Sequence, residues 1–370
     1  MAGISQRKRI WGWYFFDWAS QPYHTLLVTF VFFSYFASVA SEYFIEEAAD
    51  AQAQAMWSWC LTVTGLIIGL GAPIMGAFAD TTGRRLPWII VFSMIYVLGA
   101  TAIWGMQPDG SNLWWGLFAF GFGFIGAEYA LIFINSQLPS LGMPEEVGDI
   151  SGSGFAFGYL GGVLSLMIVL ALLVEQSSGK TLIGLDPILG LDATQREGTR
   201  AVGPFTALWF VVFMVPYFLW VRDTGPRGPG GGVTKALGTL LKTIKSLRHR
   251  LSLSTYLGSS MFYRDALNGL YGFGGTYAIL VLNWSITSVG IFGIIGAIAG
   301  AVFSWIGGKA DKRFGPKPVI KLAIWALIGV CVIVVGMDRS QIFGMPLAEG
   351  SKLPDMIFFG CGVLIGGFGG

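Results

Sequence analysis

The chain has 370 residues, of which 54% are hydrophobic and only 12% charged, and its mean hydropathy is +0.65. Soluble domains carry about 25% charged residues, so this chain cannot cover a water-facing surface, and its composition is that of an all-α polytopic membrane protein. The net charge of +2 supplies no basic surface for nucleic acid.

A helix needs about 20 apolar residues to cross the hydrocarbon core. Arg7, Lys8 and Arg9 precede an apolar run over 11–40 that is too long for a signal peptide, so it reads as a first membrane span. Further spans are expected at roughly 56–79, 87–106, 113–136, 152–174, 203–221, 253–282, 286–308, 319–337 and 355–370. The polar stretch from Arg222 to Arg250 holds Pro226, Pro229, three consecutive glycines and a basic cluster, and reads as a linker. It divides an N-terminal bundle over 1–221 from a C-terminal bundle over 251–370. The last run stops at Gly370 without a polar terminator, so the chain is expected to end within the tenth of twelve helices.

Basic residues set orientation in a membrane. Arg7, Lys8, Arg9, Arg84, Arg85, the linker cluster, Lys309, Lys312, Arg313 and Lys317 all fall on one side of the expected spans. The other side holds Glu42, Glu46, Glu47, Asp50, Asp109, Asp186 and Asp192 with few Lys or Arg. The N-terminus and the linker are therefore expected in the cytoplasm, with the chain in a bacterial cytoplasmic membrane.

Two loops repeat. One runs from Gly76 through Asp80, Gly83, Arg84 and Arg85; the other runs from Gly307 through Asp311, Arg313, Gly315 and Lys317. In each, an Asp closes one helix, a Gly permits the turn and basic residues open the next helix. A weaker match pairs Tyr14-Phe15-Phe16-Asp17 with Phe262-Tyr263-Arg264-Asp265. Repeated halves are a common architecture of secondary transporters. An Asp facing basic residues at the membrane edge can clamp neighbouring helices as a cytoplasmic gate; the plainer reading is a topology signal alone.

These loops resemble the signature loop of the major facilitator superfamily, with Thr81 where Arg is usual and one extra residue in the second copy. Three other stretches resemble the autophagy-related vacuole-effluxer-like branch. They are Asp17-Trp18-Ala19-Ser20-Gln21-Pro22-Tyr23, the run from Ser151 to Gly162 with Gly154, Gly158, Tyr159, Gly161 and Gly162, and Tyr263-Arg264-Asp265. Arg264 departs from the Asn usual before the last Asp. The resemblance implies a two-bundle fold of twelve spans and a small solute as substrate, with amino acids as the class that eukaryotic members export.

Ionisable groups inside a membrane are costly and usually functional. Asp17, Glu128, Arg264 and Asp265 qualify as substrate or proton sites. Asp17 is an interior carboxylate if the first span begins early, and an interfacial or capping residue if the span begins nearer Tyr23. Glu128 has no basic neighbour in sequence and can exchange a proton; Arg264 and Asp265 point about 100° apart on a helix. Gly65-x-x-x-Gly69 and Gly296-x-x-x-Gly300 read as close helix contacts.

Cys60, Cys331 and Cys361 read as packing residues, and His24 and His249 form no ligand set, so no metal is expected. Ser178-Gly179-Lys180-Thr181 lacks the first glycine of a phosphate loop, so no nucleotide or other cofactor is expected. The residues point to a secondary transporter in the lipid bilayer that takes a small molecule and draws on protons. A membrane enzyme lacks a clustered site here; a non-transporting sensor or scaffold of the same fold is the alternative.

Overall fold

The structure, a computed structural model, describes residues 4–44, 49–176, 178–223, 233–284, 286–348 and 350–369. It is built from helices. In chain order they are α1 (Gln6–Pro22), α2 (Phe32–Tyr43), α3 (Ala49–Thr82), α4 (Leu86–Ala102), α5 (Leu113–Asn135), α6 (Val147–Leu172), the short α7 (Glu197–Arg200) and α8 (Val202–Trp220). Then come α9 (Val233–Leu247), α10 (Leu251–Leu280), α11 (Ile286–Phe314), α12 (Pro316–Val335) and α13 (Leu353–Gly369). A two-residue hairpin, β1 (Gln341–Ile342) with β2 (Met345–Pro346), sits between α12 and α13.

Among the described residues eight helices are long and apolar enough to cross a membrane: Gln6–Tyr43, Ala51–Ala77, Leu86–Gly105, Leu113–Ser140, Pro144–Leu172, Glu197–Trp220, Ile291–Phe314 and Pro316–Val335. The chain is thus an all-α polytopic membrane protein. The run expected over 253–282 does form a helix, α10, but does not reach this apolarity. Ser252, Ser254, Thr255, Ser259, Ser260, Arg264, Asp265 and Asn268 dilute it. The run expected over 355–370 forms α13, apolar but shorter than a full span.

The first span starts earlier than its apolar run, because Gln6 to Arg9 already follow the helical path. It changes register in mid-course. Pro22 has no N–H and crowds the preceding turn, and the chain answers with a π-helical segment, Tyr23–Phe30, before α2 resumes at Phe32. The Val31 N–H reaches back five residues to the Leu26 carbonyl at 2.8 Å. Such widened turns are rare and often sit at functional sites.

Contacts divide the chain into two compact units: Met1–Leu141 with Gly161–Thr243, and Gly142–Leu160 with Ile244–Gly370. In the first, helices pack by small residues and rings, as they must where lipid removes the hydrophobic drive between helices. Gly99 of α4 meets Gly123 of α5 backbone to backbone, and a Cβ on Gly126 would lie 2.5 Å from the Tyr96 nitrogen. Around this crossing Phe92 stacks on Tyr129 at 4.8 Å and Tyr96 on Phe210 at 4.0 Å, and Trp57 meets Phe120 at a tilt at 4.5 Å.

The second unit has two smaller apolar clusters, Ala278–Leu282–Met337–Phe358 and Leu327–Val330–Cys361–Ile365. There Gly296 lies against Gly366 of α13, and a Cβ on Gly300 would sit 3.2 Å from the Gly366 carbonyl, so this glycine pair makes the expected close contact. Gly65 and Gly69 do not: nothing lies within 4 Å of a Cβ at either, because they share an open stretch of α3 with Leu66 and Leu70, the latter 72% exposed. Cys361 is buried, whereas Cys60 and Cys331 are only half-buried.

Candidate functional site

In the first unit, two glycines of the resemblance run, Gly161 and Gly162, meet the first span, which carries another of its segments. A Cβ on Gly161 of α6 would lie 2.9 Å from the Trp18 carbonyl, and one on Gly162 would lie 2.5 Å from Thr25 Oγ1 and 2.9 Å from Gln21 Cγ. The two glycines are the seat into which the first span presses. Trp18 stacks on Trp209 of α8 at 5.9 Å, and the Trp209 indole N–H donates to the Trp18 carbonyl at 3.0 Å. Gly154 and Gly158, on the earlier turns of α6, are buried.

Asp17 lies inside α1, whose N-cap is Ser5, so it does not cap the helix. It is 8% exposed, and its Oδ2 is enclosed without a hydrogen-bond partner. Phe16 and Trp18 on either side pack against Phe210 and Trp209 of α8. A carboxylate in such a place is expensive when charged.

Glu128 projects from α5, half-buried, with Oε1 3.5 Å from Nε2 of His24. His24 sits at the start of the π segment and meets Phe124 edge-on at 5.9 Å. Its neighbour Tyr23 anchors the segment, donating its hydroxyl to the Phe120 carbonyl at 2.6 Å. A Cβ on Gly123 would fall 2.5 Å from that hydroxyl, so the glycine makes room for it. The sequence set His24 aside as isolated and left Glu128 without a basic neighbour; the fold brings the two together. No hydrogen bond or ion pair joins Asp17 to Glu128 among the described residues.

Arg264 and Asp265 belong to the second unit, exposed side by side on α10. In the same unit Tyr159 of α6 places its ring 3.2 Å from where a Cβ of Gly300 would stand.

The two signature loops turn as read: Gly83 and Gly315 have φ of 66° and 81°, a region that favours glycine. The side chain of Asp80 lies outside the described residues, Gly76 meets nothing within 4 Å, and Arg84 is exposed. The backbone N–H of Arg85 donates instead to Asp223, the acid just past α8, at 3.1 Å. In the second loop Asp311 faces α6. Its carboxylate lies over Gly148, in the first turn of α6, where a Cβ would collide with it. The N-terminal end of a helix favours a negative charge. Beside it, Lys312 Nζ stands 4.0 Å from Asp149.

On the opposite face the sequence reading missed the pairing of Glu175, Arg196 and Arg200. Glu175 accepts from the Thr199 hydroxyl at 2.6 Å and its backbone N–H at 3.1 Å. Arg196 approaches the same carboxylate at 3.9 Å while its guanidinium covers Tyr35 at 5.1 Å. Arg200 donates twice to the Trp104 carbonyl, at 3.1 and 2.8 Å. Lys180, of the rejected phosphate-loop pattern, binds Asp186 at 2.6 Å. Among the described residues no group of three or more His, Cys, Asp and Glu is placed to hold a metal ion.

The sequence pattern of the family described as "Vacuole effluxer Atg22 like" matches residues 41–337. The chain belongs to that family. It is a branch of the major facilitator superfamily of membrane transporters, and a bacterial relative carries the superfamily's name. The chain is 25% identical over 336 residues to the uncharacterized MFS-type transporter YxiO of Bacillus subtilis, covering 90% of this chain and 74% of that protein. It is 26% identical over 221 residues to autophagy-related protein 22 of Botryotinia fuckeliana. That match covers 53% of this chain and only 30% of the fungal protein.

The fold of this Atg22-like chain is that of solved superfamily members. The proton:xylose symporter XylE bound to 6-bromo-6-deoxy-D-glucose matches with a TM-score of 0.64 at 12% identity, covering 98% of this chain and 78% of that one. The inward-open xylose transporter XylE from E. coli matches at 0.54 and 14% identity, covering 97% and 79%.

Proposed function

We propose that this Atg22-like chain is a proton-coupled secondary transporter of small solutes, amino acids first among them, and that the His24–Glu128 pair carries the proton. The observation that carries this reading is the pair itself, an imidazole 3.5 Å from a carboxylate between two membrane-spanning helices. Ionisable groups at such depth are rare and mark ion and proton pathways. An imidazole changes charge within the physiological pH range, and a facing carboxylate lets one proton be held between the two groups or released from them. The π turn that sets His24 on this face supports a role in transport rather than in packing.

In this reading Asp17 is a second protonatable group and Asp265 is the substrate contact, suited to the ammonium of an amino acid, while Arg264, about 100° round the helix, serves a separate anionic group. The signature loops act as cytoplasmic gates, with Asp311 on the α6 terminus as one clamp. Residues 1–221 and 251–370 are the rocking bundles, joined by the linker over 222–250. The N-terminus faces the cytoplasm of a bacterium. In support of that orientation, Lys8 at the N-terminus and Arg84 and Lys317 of the signature loops stand exposed where basic residues favour the cytoplasmic side.

Uptake of an amino-acid panel by proteoliposomes, with and without a proton gradient, tests the proposal. Gradient-driven accumulation of one or more amino acids is the expected result. No uptake across the panel would remove the substrate class, and uptake indifferent to the gradient would remove the coupling.

A further inference from the structure

The linker contains a helix that transport chemistry does not use. We propose that α9 (Val233–Leu247) lies in the headgroup layer of the bilayer and binds anionic phospholipid.

The argument begins with its sequence, Val-Thr-Lys-Ala-Leu-Gly-Thr-Leu-Leu-Lys-Thr-Ile-Lys-Ser-Leu. Val233, Leu237, Leu240, Leu241, Ile244 and Leu247 recur at the three- and four-residue spacing that gathers apolar residues on one helix face. Lys235, Lys242 and Lys245 fall on the other face. Arg248 and Arg250 follow directly, and no Asp or Glu occurs from Val233 to Arg250. A helix divided in this way, cationic on one side and apolar on the other, is built to lie along a membrane surface.

Two structural observations make the bilayer the partner. Leu241 and Ile244 are 58% and 52% exposed, so the protein leaves the middle of the apolar stripe uncovered, and Lys242, Lys245, Arg248 and Arg250 are exposed as well. The helix is also tethered at the membrane. The spanning helix α8 ends at Trp220, and Asp223, just beyond it, is bound to the backbone at the start of α4, which itself enters the membrane there. Because α9 begins ten residues after Asp223, its apolar stripe can reach lipid and its lysines can reach phosphate. The unbroken positive charge selects anionic headgroups.

The test uses the full chain with Cys60, Cys331 and Cys361 replaced by Ala and a nitroxide on Ile244→Cys. The labelled protein is placed in vesicles of phosphatidylcholine alone or of phosphatidylcholine with phosphatidylglycerol. In the anionic vesicles the label should become accessible to oxygen and shielded from a water-soluble nickel chelate. Each lysine near an anionic surface strengthens such binding about fivefold, so the pair Lys242→Glu, Lys245→Glu should reduce the ratio of immersed to free label at least about 25-fold. High salt should act in the same direction. A label in water in both vesicles overturns the proposal, as does one shielded from both reagents, which would mean protein covers the stripe. A label immersed equally in both compositions overturns the anionic selectivity. The exposed lysines can be reversed without disturbing a packed contact, and unchanged thermal unfolding of the double variant confirms that.

Discussion

The carboxylate of Asp223 accepts the backbone N–H of Leu86 at 3.0 Å, so an acid beyond the end of α8 closes the first turn of α4. The other oxygen accepts from the Gln137 amide at 3.3 Å, and Gln137 in turn accepts the Tyr217 hydroxyl at 2.6 Å. The start of one span is thereby fixed to the ends of two others. Arg85 occupies the N-cap position without a side-chain cap of its own, so the borrowed carboxylate does the work that a local Ser or Asp would do. Removing a cap costs about 0.5–2 kcal/mol. Asp223→Ala should therefore lower the thermal unfolding midpoint of the purified protein, while Asp223→Asn, which still accepts, should recover most of the loss. Equal midpoints for wild type and Asp223→Ala would show that the cap is dispensable.

The glycines of α3 and α4 should respond oppositely to one added methyl. Gly99→Ala drives its Cβ into the backbone of Gly123, which cannot move aside as a side chain can, and overpacking of this kind costs about 1–3 kcal/mol. Gly65→Ala meets nothing within 4 Å and should be neutral or, through better helix propensity, slightly stabilising. Unfolding midpoints of the two variants in the same detergent decide the matter.

Coupling separates the pair from the second-unit charges. Glu128→Gln should abolish the acceleration of uptake by a proton gradient and leave solute exchange intact, and His24→Gln should shift the pH at which uptake is half-maximal. Asp265→Asn should weaken substrate binding itself, raising KM with the gradient response preserved. Full gradient-driven uptake by Glu128→Gln would reduce Glu128 to a packed polar residue.

Orientation is read directly by labelling. Ser111→Cys and Lys317→Cys are both exposed positions, in loops expected on opposite faces. A membrane-impermeant reagent should label position 111 from outside intact cells and position 317 only after the cells are opened. The reverse pattern would invert the topology.

The hairpin after α12 should be sensitive to acid. The Asp338 carboxylate accepts from the Ser340 hydroxyl and backbone N–H, both at 2.7 Å, and from the Gln341 backbone and side chain at 2.9 Å. These bonds, those of Ser340 first, hold its carboxyl down to about 2 from an ordinary 3.8. A depressed carboxyl contributes stability that is complete above its ordinary value and is lost as pH falls through the lowered one. Amide protection over 338–346 should therefore be constant above pH 4 and fall towards pH 2, whereas Asp338→Asn should show no such fall.

Most of the fold was legible because a membrane span announces itself in composition. Apolar runs of sufficient length locate the helices, and a glycine between an Asp and a basic pair locates the turn at Gly83. What hydropathy cannot see is which polar residues meet across helices. His24 looked isolated because its partner Glu128 lies in another span, and because a π turn, invisible to an α-helical wheel, sets the face it presents. Asp223 read as linker because its role depends on where α8 ends relative to α4. Gly65 and Gly69 failed for the converse reason. Spacing shows that two glycines share a face, and nothing in the spacing says whether another helix lies against it.

The register change at Tyr23–Phe30 alters how relatives of this protein should be compared. A π segment takes up more residues per turn than the α-helix on either side of it. Residues before Pro22 and residues after Val31 therefore keep facings that one continuous projection of the first span would put out of phase. An alignment that adds or drops a single residue there could leave every apolar position matched in type, yet it would turn half of the span to a different side. In this chain the side presented by Asp17 and the side presented by Tyr35 have to be counted separately, each from its own end of the segment.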